Sequence, residues 1–281
     1  MKNPVMKTMH HYASVVLSAL TLTLLLSNAA AAKPLDTLEL AIQPILSEEK
    51  TRQAFQPLAD YLGKVTGRHV VIKTMPNFLA YWSSIRKPNK YGLVLDAAHF
   101  TDYRAQKQGY KVLAKIPDYV SYSLVVREDL FVFEPSELIG KRIATLGAPS
   151  IGAARLNAMF PNPMRQPIII ETPSARAGMD MLIEGKVHAA IMPTPVVSQY
   201  MAEAAPISVV VTTEPIPHIA FSATSNLDPK LRGKIQRALL EAHNTKAGQS
   251  MLKGIGFKKF DPANAKIYAG HNFILKKYWG Y

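Results

Sequence analysis

Cysteine is absent from all 281 residues, which excludes a disulfide framework, a thiolate metal site and anchoring through a lipidated cysteine. The fold must therefore rest on a large apolar core. Motifs that announce catalysis are missing too: there is no Gly-x-Ser-x-Gly elbow, no His-Glu-x-x-His, no phosphate loop ending in Gly-Lys-Ser/Thr and no Gly-x-Gly-x-x-Gly. Six histidines follow Lys33, but no two stand at metal-ligand spacing. No cofactor and no metal are expected. Acidic residues are scarce, 20 against 33 Lys and Arg, for a formal net charge of +13. The positive charges are scattered, and no helix-turn-helix, zinc-finger or aromatic-basic strand motif accompanies them, so nucleic acid is not expected as a partner. The excess serves solvation and weak steering of small anions.

Only one long apolar run exists. Lys2 and Lys7 precede the chargeless stretch Ala13 to Leu26, and Ala29 to Ala32 offers small residues for cleavage before Lys33-Pro34. Residues 1–32 thus read as a secretory signal peptide, its apolar core shorter than the roughly 20 residues of a spanning helix. Without Lys2 and Lys7 the remaining 31 basic residues exceed the 20 acidic ones by 11. An exported, soluble protein is the expectation.

Beyond the leader, strands and helices alternate. Leu38 to Ile42 alternates as a strand ending at Gln43-Pro44, and Ser47-Glu48-Glu49 opens a helix that Gly63 and Gly67 stop. Val70 to Ile72 is the next strand, Met75-Pro76-Asn77-Phe78 leads into a helix through Trp82, and Leu93 to Asp96 is a third strand with His99 past its end. Ligands in open α/β sheets sit beyond the carboxyl ends of strands, which marks Gln43, Phe78 and His99 as candidate site residues. Ser121 to Val126 is a strong strand. Val209 to Val211 and Ile219 to Phe221 read as one long interrupted strand around Pro215 and Pro217.

The centre of the chain is Lys141 to Leu156. An apolar strand, a Gly147-Ala148-Pro149 break and Ser150 at a helix N-cap leave the first N–H groups of a helix, with its positive dipole end, as a seat for an anion. Ser150, Ile151 and Gly152 form that seat, and Arg155 lies one turn on. Thr194, between Pro193 and Pro195, and His218 fall at further predicted cleft edges, and His188 at the start of an apolar strand reads as a buried structural residue.

The order of these pieces resembles the periplasmic solute-binding proteins of the phosphonate/phosphite/phosphate class in ABC importers. The marks are Gln43-Pro44 followed by Gln56-Pro57-Leu58-Ala59-Asp60-Tyr61-Leu62 and Thr66-Gly67; Leu93 to Ala98; Tyr122 to Arg127; Leu138 to Ala144; Gly185 to Ala190; and Ile216-Pro217. The resemblance implies an α/β fold of two lobes of the type II periplasmic-binding-protein kind, each a mixed, mostly parallel sheet flanked by helices, joined by two crossing strands. Residues 33–118 and 213–281 would form one lobe and 119–212 the other, with a ligand held between them by hinge closure. The family's cleft aromatic is kept as Phe78, and Tyr119 and Tyr122 flank its tyrosine. Its hydroxyl-rich loop is reduced to Ser150-Ile151-Gly152. Ala175 stands near its histidine, Pro195 and Ile219 near acids that meet an ammonium, and His188 in place of an aspartate. The resemblance therefore implies a small anionic ligand other than an aminoalkylphosphonate, or something less charged, delivered to a membrane permease. A ligand-sensing partner of a membrane signalling protein is the second reading, and an enzyme with a spatially assembled site the third.

Overall fold

The computed structural model describes residues 36–278, so the expected leader at 1–32 and the Trp279-Gly280-Tyr281 tail lie outside the described residues. Strand β1 (Thr37–Ile42) runs parallel to β2 (His69–Lys73) and β3 (Leu93–Asp96). Helix α1 (Glu48–Thr66) links the first pair: the Ser47 hydroxyl accepts from the Lys50 N–H at 3.4 Å at its start, and Gly67 at φ 69° ends it. Both ends are thereby closed by groups that satisfy orphan backbone atoms. Helix α2 (Phe78–Ile85), capped by Asn77, links β2 to β3, and α3 (Ala98–Lys107) leads on to β4 (Lys111–Lys115). Two late strands complete this sheet, β12 (Ala220–Ala223) and β13 (Asp261–Pro262), in the order β13-β4-β12-β3-β1-β2.

The second sheet runs β10 (Ile207–Thr212), β6 (Tyr122–Arg127), β9 (Ala189–Pro193), β7 (Arg142–Thr145) and β8 (Ile168–Glu171). Around it stand α4 (Ile151–Met159), α5 (Ala175–Ile183) and α6 (Thr194–Ala202). In the chain, β5 (Tyr119–Val120) and β11 (Ile216–Pro217) stand between the two sheets and pair with each other as an antiparallel ribbon. The stretch 209–221 is therefore not one interrupted strand. It is three, β10, β11 and β12, in three different sheets. Pro215 and Pro217 have no N–H to give to a central ladder, so each sheet change falls at or beside a proline.

Leu38, Leu40 and Ile42 alternate into one core with Leu58 of α1 and with Leu239 and Leu252 of α7 (Pro229–Leu240) and α8 (Lys246–Ile255). Ala41, on the other face of β1, enters a second core that reaches from Phe78, Tyr81 and Trp82 to Ala144, Met179 and Met192 of the second sheet's layer. Each such buried aliphatic or aromatic side chain stabilises the fold by about 1.5–3 kcal/mol. The chain closes on a 3-10 turn, His271–Lys277, where the Asn272 N–H donates to Asp102 Oδ2 at 2.9 Å and Leu275 is fully buried in that second core.

Candidate functional site

Strand β7 ends at Thr145, and Gly147 turns the chain at φ 76°, where a Cβ would also lie 2.6 Å from the Glu171 carboxyl carbon. Ser150 then caps α4: its Oγ accepts from the Ala153 N–H at 3.2 Å and its carbonyl from the Ala154 N–H at 3.1 Å. That leaves the N–H groups of Ile151 and Gly152 with no acceptor among the described residues. The positive end of the helix dipole lies at the same point. Ser150→Ala is expected to lower stability by about 1 kcal/mol through the lost cap, measured by urea denaturation.

Ile151 opens onto a cavity of about 600 Å³ where the end of β1, the β5/β11 ribbon and the start of α4 meet. Three neutral side chains bring donors to its wall. Gln43, 4% exposed, accepts from the Ala97 N–H through Oε1 at 2.9 Å, which commits its oxygen and leaves its amide nitrogen. Tyr122, 8% exposed, has a hydroxyl with no hydrogen-bond partner among the described residues, and burial pushes its pKa up, so it stays a donor. His218 accepts from the Ile219 N–H through Nδ1 at 2.8 Å. Burial, with the Lys115 ammonium second, lowers the His218 pKa to about 4, so the ring is neutral and carries its proton on Nε2. Tyr119 also lines the cavity but is 65% exposed.

The rest of the wall is mostly hydrocarbon, including Ile42, Ile116, Ile216, Phe55 and Phe257. Sequence reasoning missed these residues because an isoleucine in a strand or a phenylalanine on a helix reads as core. The tyrosine stands on the seat itself: a Cβ on Gly152 would lie 3.4 Å from Tyr122 Cδ1, so glycine gives the ring its close approach to the first turn of α4.

Other expected site residues sit elsewhere. Phe78 is buried in the core, stacked on Phe100 with centroids 6.1 Å apart, and does not line the cavity. His99 is fully buried, and its Nε2 faces the Pro149 carbonyl at 2.9 Å. A carbonyl only accepts, so the ring donates there, and burial lowers its pKa to about 3. This bond ties α3 to the loop that carries Ser150. The Ala175 N–H makes a second tie, donating to the Ile45 carbonyl at 3.2 Å. The Thr194 hydroxyl lies 3.0 Å from Ser121 Oγ and 2.9 Å from Ser123 Oγ, and the latter is 3.0 Å from Thr212 Oγ1. Thr194 thus belongs to a hydroxyl chain across β6, β10 and the start of α6, while Pro193 and Pro195 line the cavity. Arg155 donates to the Glu214 carbonyl at 3.4 Å. His188, expected to be buried, is half-buried and accepts from the Arg142 N–H through Nδ1 at 3.2 Å.

Residues 40–268 match the model of the ABC transporter phosphonate periplasmic substrate-binding protein family. The chain belongs to this family. Its members bind substrate for transport in the periplasm and work with an ABC permease. Among solved structures, the chain is similar to PhnD1 from Prochlorococcus marinus in complex with methylphosphonate, at TM-score 0.73 and 15% identity over 85% of this chain and 97% of that one. The binding protein component of an ABC phosphonate transporter from Pseudomonas aeruginosa gives TM-score 0.70 and 12% identity, covering 83% of each chain. XAC2383 from Xanthomonas citri bound to ATP gives TM-score 0.68 and 14% identity over 85% of this chain and 98% of that one. Identities this low speak for the fold, which is the two-lobed type II periplasmic-binding-protein architecture. No curated protein matches in sequence. Among the described residues no three His, Cys, Asp or Glu side chains gather as a metal site, and no helix is long and apolar enough to cross a membrane.

Proposed function

We propose that this chain captures a small phosphonate- or phosphate-type oxyanion against the first turn of α4 and presents it, closed between two lobes, to an ABC permease. The observation that carries this reading is the gathering of unused donors around one cavity. Ile151, on the cavity wall, and Gly152 beside it leave backbone N–H groups unused, and Gln43, Tyr122 and His218 offer neutral side-chain donors at the wall. Bonds from neutral donors to an anion are charge-assisted and stronger than neutral pairs. Residues 36–118 with 213–278 form one lobe and 119–212 the other, and the β5/β11 ribbon is the hinge. Ligand favours the closed form by touching groups of both lobes, Gln43 from one and Ile151 from the other. The chain acts by binding rather than by turnover, the role of the substrate-binding family to which it belongs. Residues 1–32 are removed on export, which mass spectrometry of the secreted protein would show as an N-terminus at Lys33.

The test is calorimetric titration of the exported protein with methylphosphonate, phosphite, phosphate and 2-aminoethylphosphonate. A specific oxyanion is expected to bind and, at one hundred times its Kd, to stabilise the fold by about 2.7 kcal/mol. Tyr122→Phe, which removes one of those donors, is expected to weaken that binding by about 1.5–3 kcal/mol, the worth of a hydrogen bond to a charged group. Silence from every oxyanion would overturn the reading.

A further inference from the structure

We infer that the oxyanion taken by this site carries a bulky, uncharged, apolar substituent: it is an alkyl- or arylphosphonate, or the matching phosphate monoester. The inference rests on the oxyanion reading above and adds what the rest of the cavity asks for. A volume of about 600 Å³ is that of about twenty waters of the bulk liquid, and it falls in the range of pockets that hold drug-sized molecules. A bare tetrahedral anion, five heavy atoms, leaves most of it empty.

Donors are few on the wall: Gln43, Tyr122, His218 and the start of α4 at Ile151, with the Tyr122 ring lying on Gly152. Most of the remaining wall is hydrocarbon. Ile116 and Ile216 come from either side of the ribbon, and Phe55 of α1 packs edge-on to Phe257 beyond α8, with centroids 6.1 Å apart. Water against these side chains finds few polar partners, and its displacement by hydrocarbon is favourable. The lining also says what the substituent is not. Its one carboxylate, Asp118, and its one cation, Lys258, are both exposed, so no buried charge waits for an ammonium or a second anion. A polar substituent would leave its own groups unpaired against isoleucine and phenylalanine.

The test is a homologous series titrated into the exported protein: methyl-, propyl- and hexylphosphonate, phenylphosphonate, hexyl phosphate, 2-aminoethylphosphonate and, as the neutral control, 1-hexanol. Affinity is expected to rise by about threefold to fourfold per methylene, giving at least about a hundredfold from methyl to hexyl. The aminoethyl compound is expected to bind no better than the methyl one. The ratio of hexylphosphonate to hexyl phosphate assigns the source of the head group. Ala54→Phe narrows the cavity from α1 without touching a donor, and it is expected to lower hexylphosphonate affinity at least tenfold while leaving methylphosphonate unchanged. Should that variant not fold, the chain-length series on the unaltered protein decides alone. Methylphosphonate binding as tightly as hexylphosphonate would overturn the inference and leave the oxyanion reading standing. Hexanol binding as tightly as hexylphosphonate would overturn the oxyanion reading, and no binding by any member would overturn both.

Discussion

Arg104→Leu is expected to lower the free energy of unfolding by about 3–5 kcal/mol, because it strands a carboxylate in the driest part of the fold. Arg104 and Asp96 are both fully buried, and the two guanidinium nitrogens each lie 2.5 Å from a different Asp96 oxygen. Tyr81 donates to the same carboxylate at 2.7 Å and Thr101 at 3.2 Å. Burial alone would lower the Arg104 pKa, but the carboxylate beside it outweighs burial and raises it. The guanidinium is thus held charged, and its loss leaves the buried carboxyl group without its counter-charge. Removing both is a milder change: Asp96→Leu with Arg104→Leu is expected to recover part of the loss, since two apolar groups of similar bulk need no partners. Urea denaturation of the two variants measures this, and a single variant within 1 kcal/mol of the parent would show that solvent reaches the pair. The effect extends to the site. Asp96 ends β3, and the next residue, Ala97, gives its N–H to Gln43, so a loosened ion pair is expected to weaken ligand binding as well.

Acid is the second large lever. His99 and His218 have pKa values lowered to about 3 and about 4, both chiefly by burial, against about 6.5 in an unfolded chain. Between those values the unfolded chain binds protons that the folded one refuses. Their contribution to stability is therefore complete above pH 6.5 and is lost as pH falls toward 4 and then 3. At pH 4.5 each histidine is expected to have cost about 2–3 kcal/mol relative to pH 7. The groups facing His99 do not relieve it: Arg104 and His271 oppose its charging, and the Pro149 carbonyl is its one favourable contact. His99→Gln and His218→Gln keep a neutral donor, so each variant is expected to narrow the stability difference between pH 7 and pH 4.5 by about 2–3 kcal/mol. Identical pH slopes in the parent and both variants would mean that these rings titrate normally.

Much of this fold was legible because its punctuation is local. Ser47 and Gly67 bracket α1, Asn77 caps α2 and Ser150 caps α4, each where the hydrogen-bonding side chain or the left-handed residue stands in the sequence. Helix α6 starts where Thr194 stands between two prolines, a pattern that marks a chain break as readily as a helix start, although proline in a first turn is a helix starter. The 209–221 stretch was misread for the opposite reason. Its β-branched residues suit strands, but strand propensity does not say which sheet a strand joins. Of the cavity's wall, Gln43 stands at a strand end and Ile151 behind a cap, positions that local sequence marks, whereas Tyr122 was pointed to only by the family resemblance. The hydrocarbon wall was not legible, since Phe55 and Phe257 lie 202 positions apart in sequence and meet only when α1 packs on α8. The role of His99 was hidden likewise, because its partner is a carbonyl 50 residues on.

Strand β12 lies between β3 and β4, antiparallel to both, and it comes from the part of the chain that has already visited the other sheet. Until residues 220–223 return, β4 has no neighbour in the order of the finished sheet and the first half of the molecule cannot be completed. The two halves therefore cannot mature one after the other along the chain. A fragment ending at residue 118 would expose an unpaired edge on β3 and another on β4, each a template for aggregation. Folding must wait for contacts more than a hundred residues apart, which slows it and keeps the chain unfolded for longer. For a protein that works beyond a membrane, such slowness lengthens the interval in which the chain is still threadable.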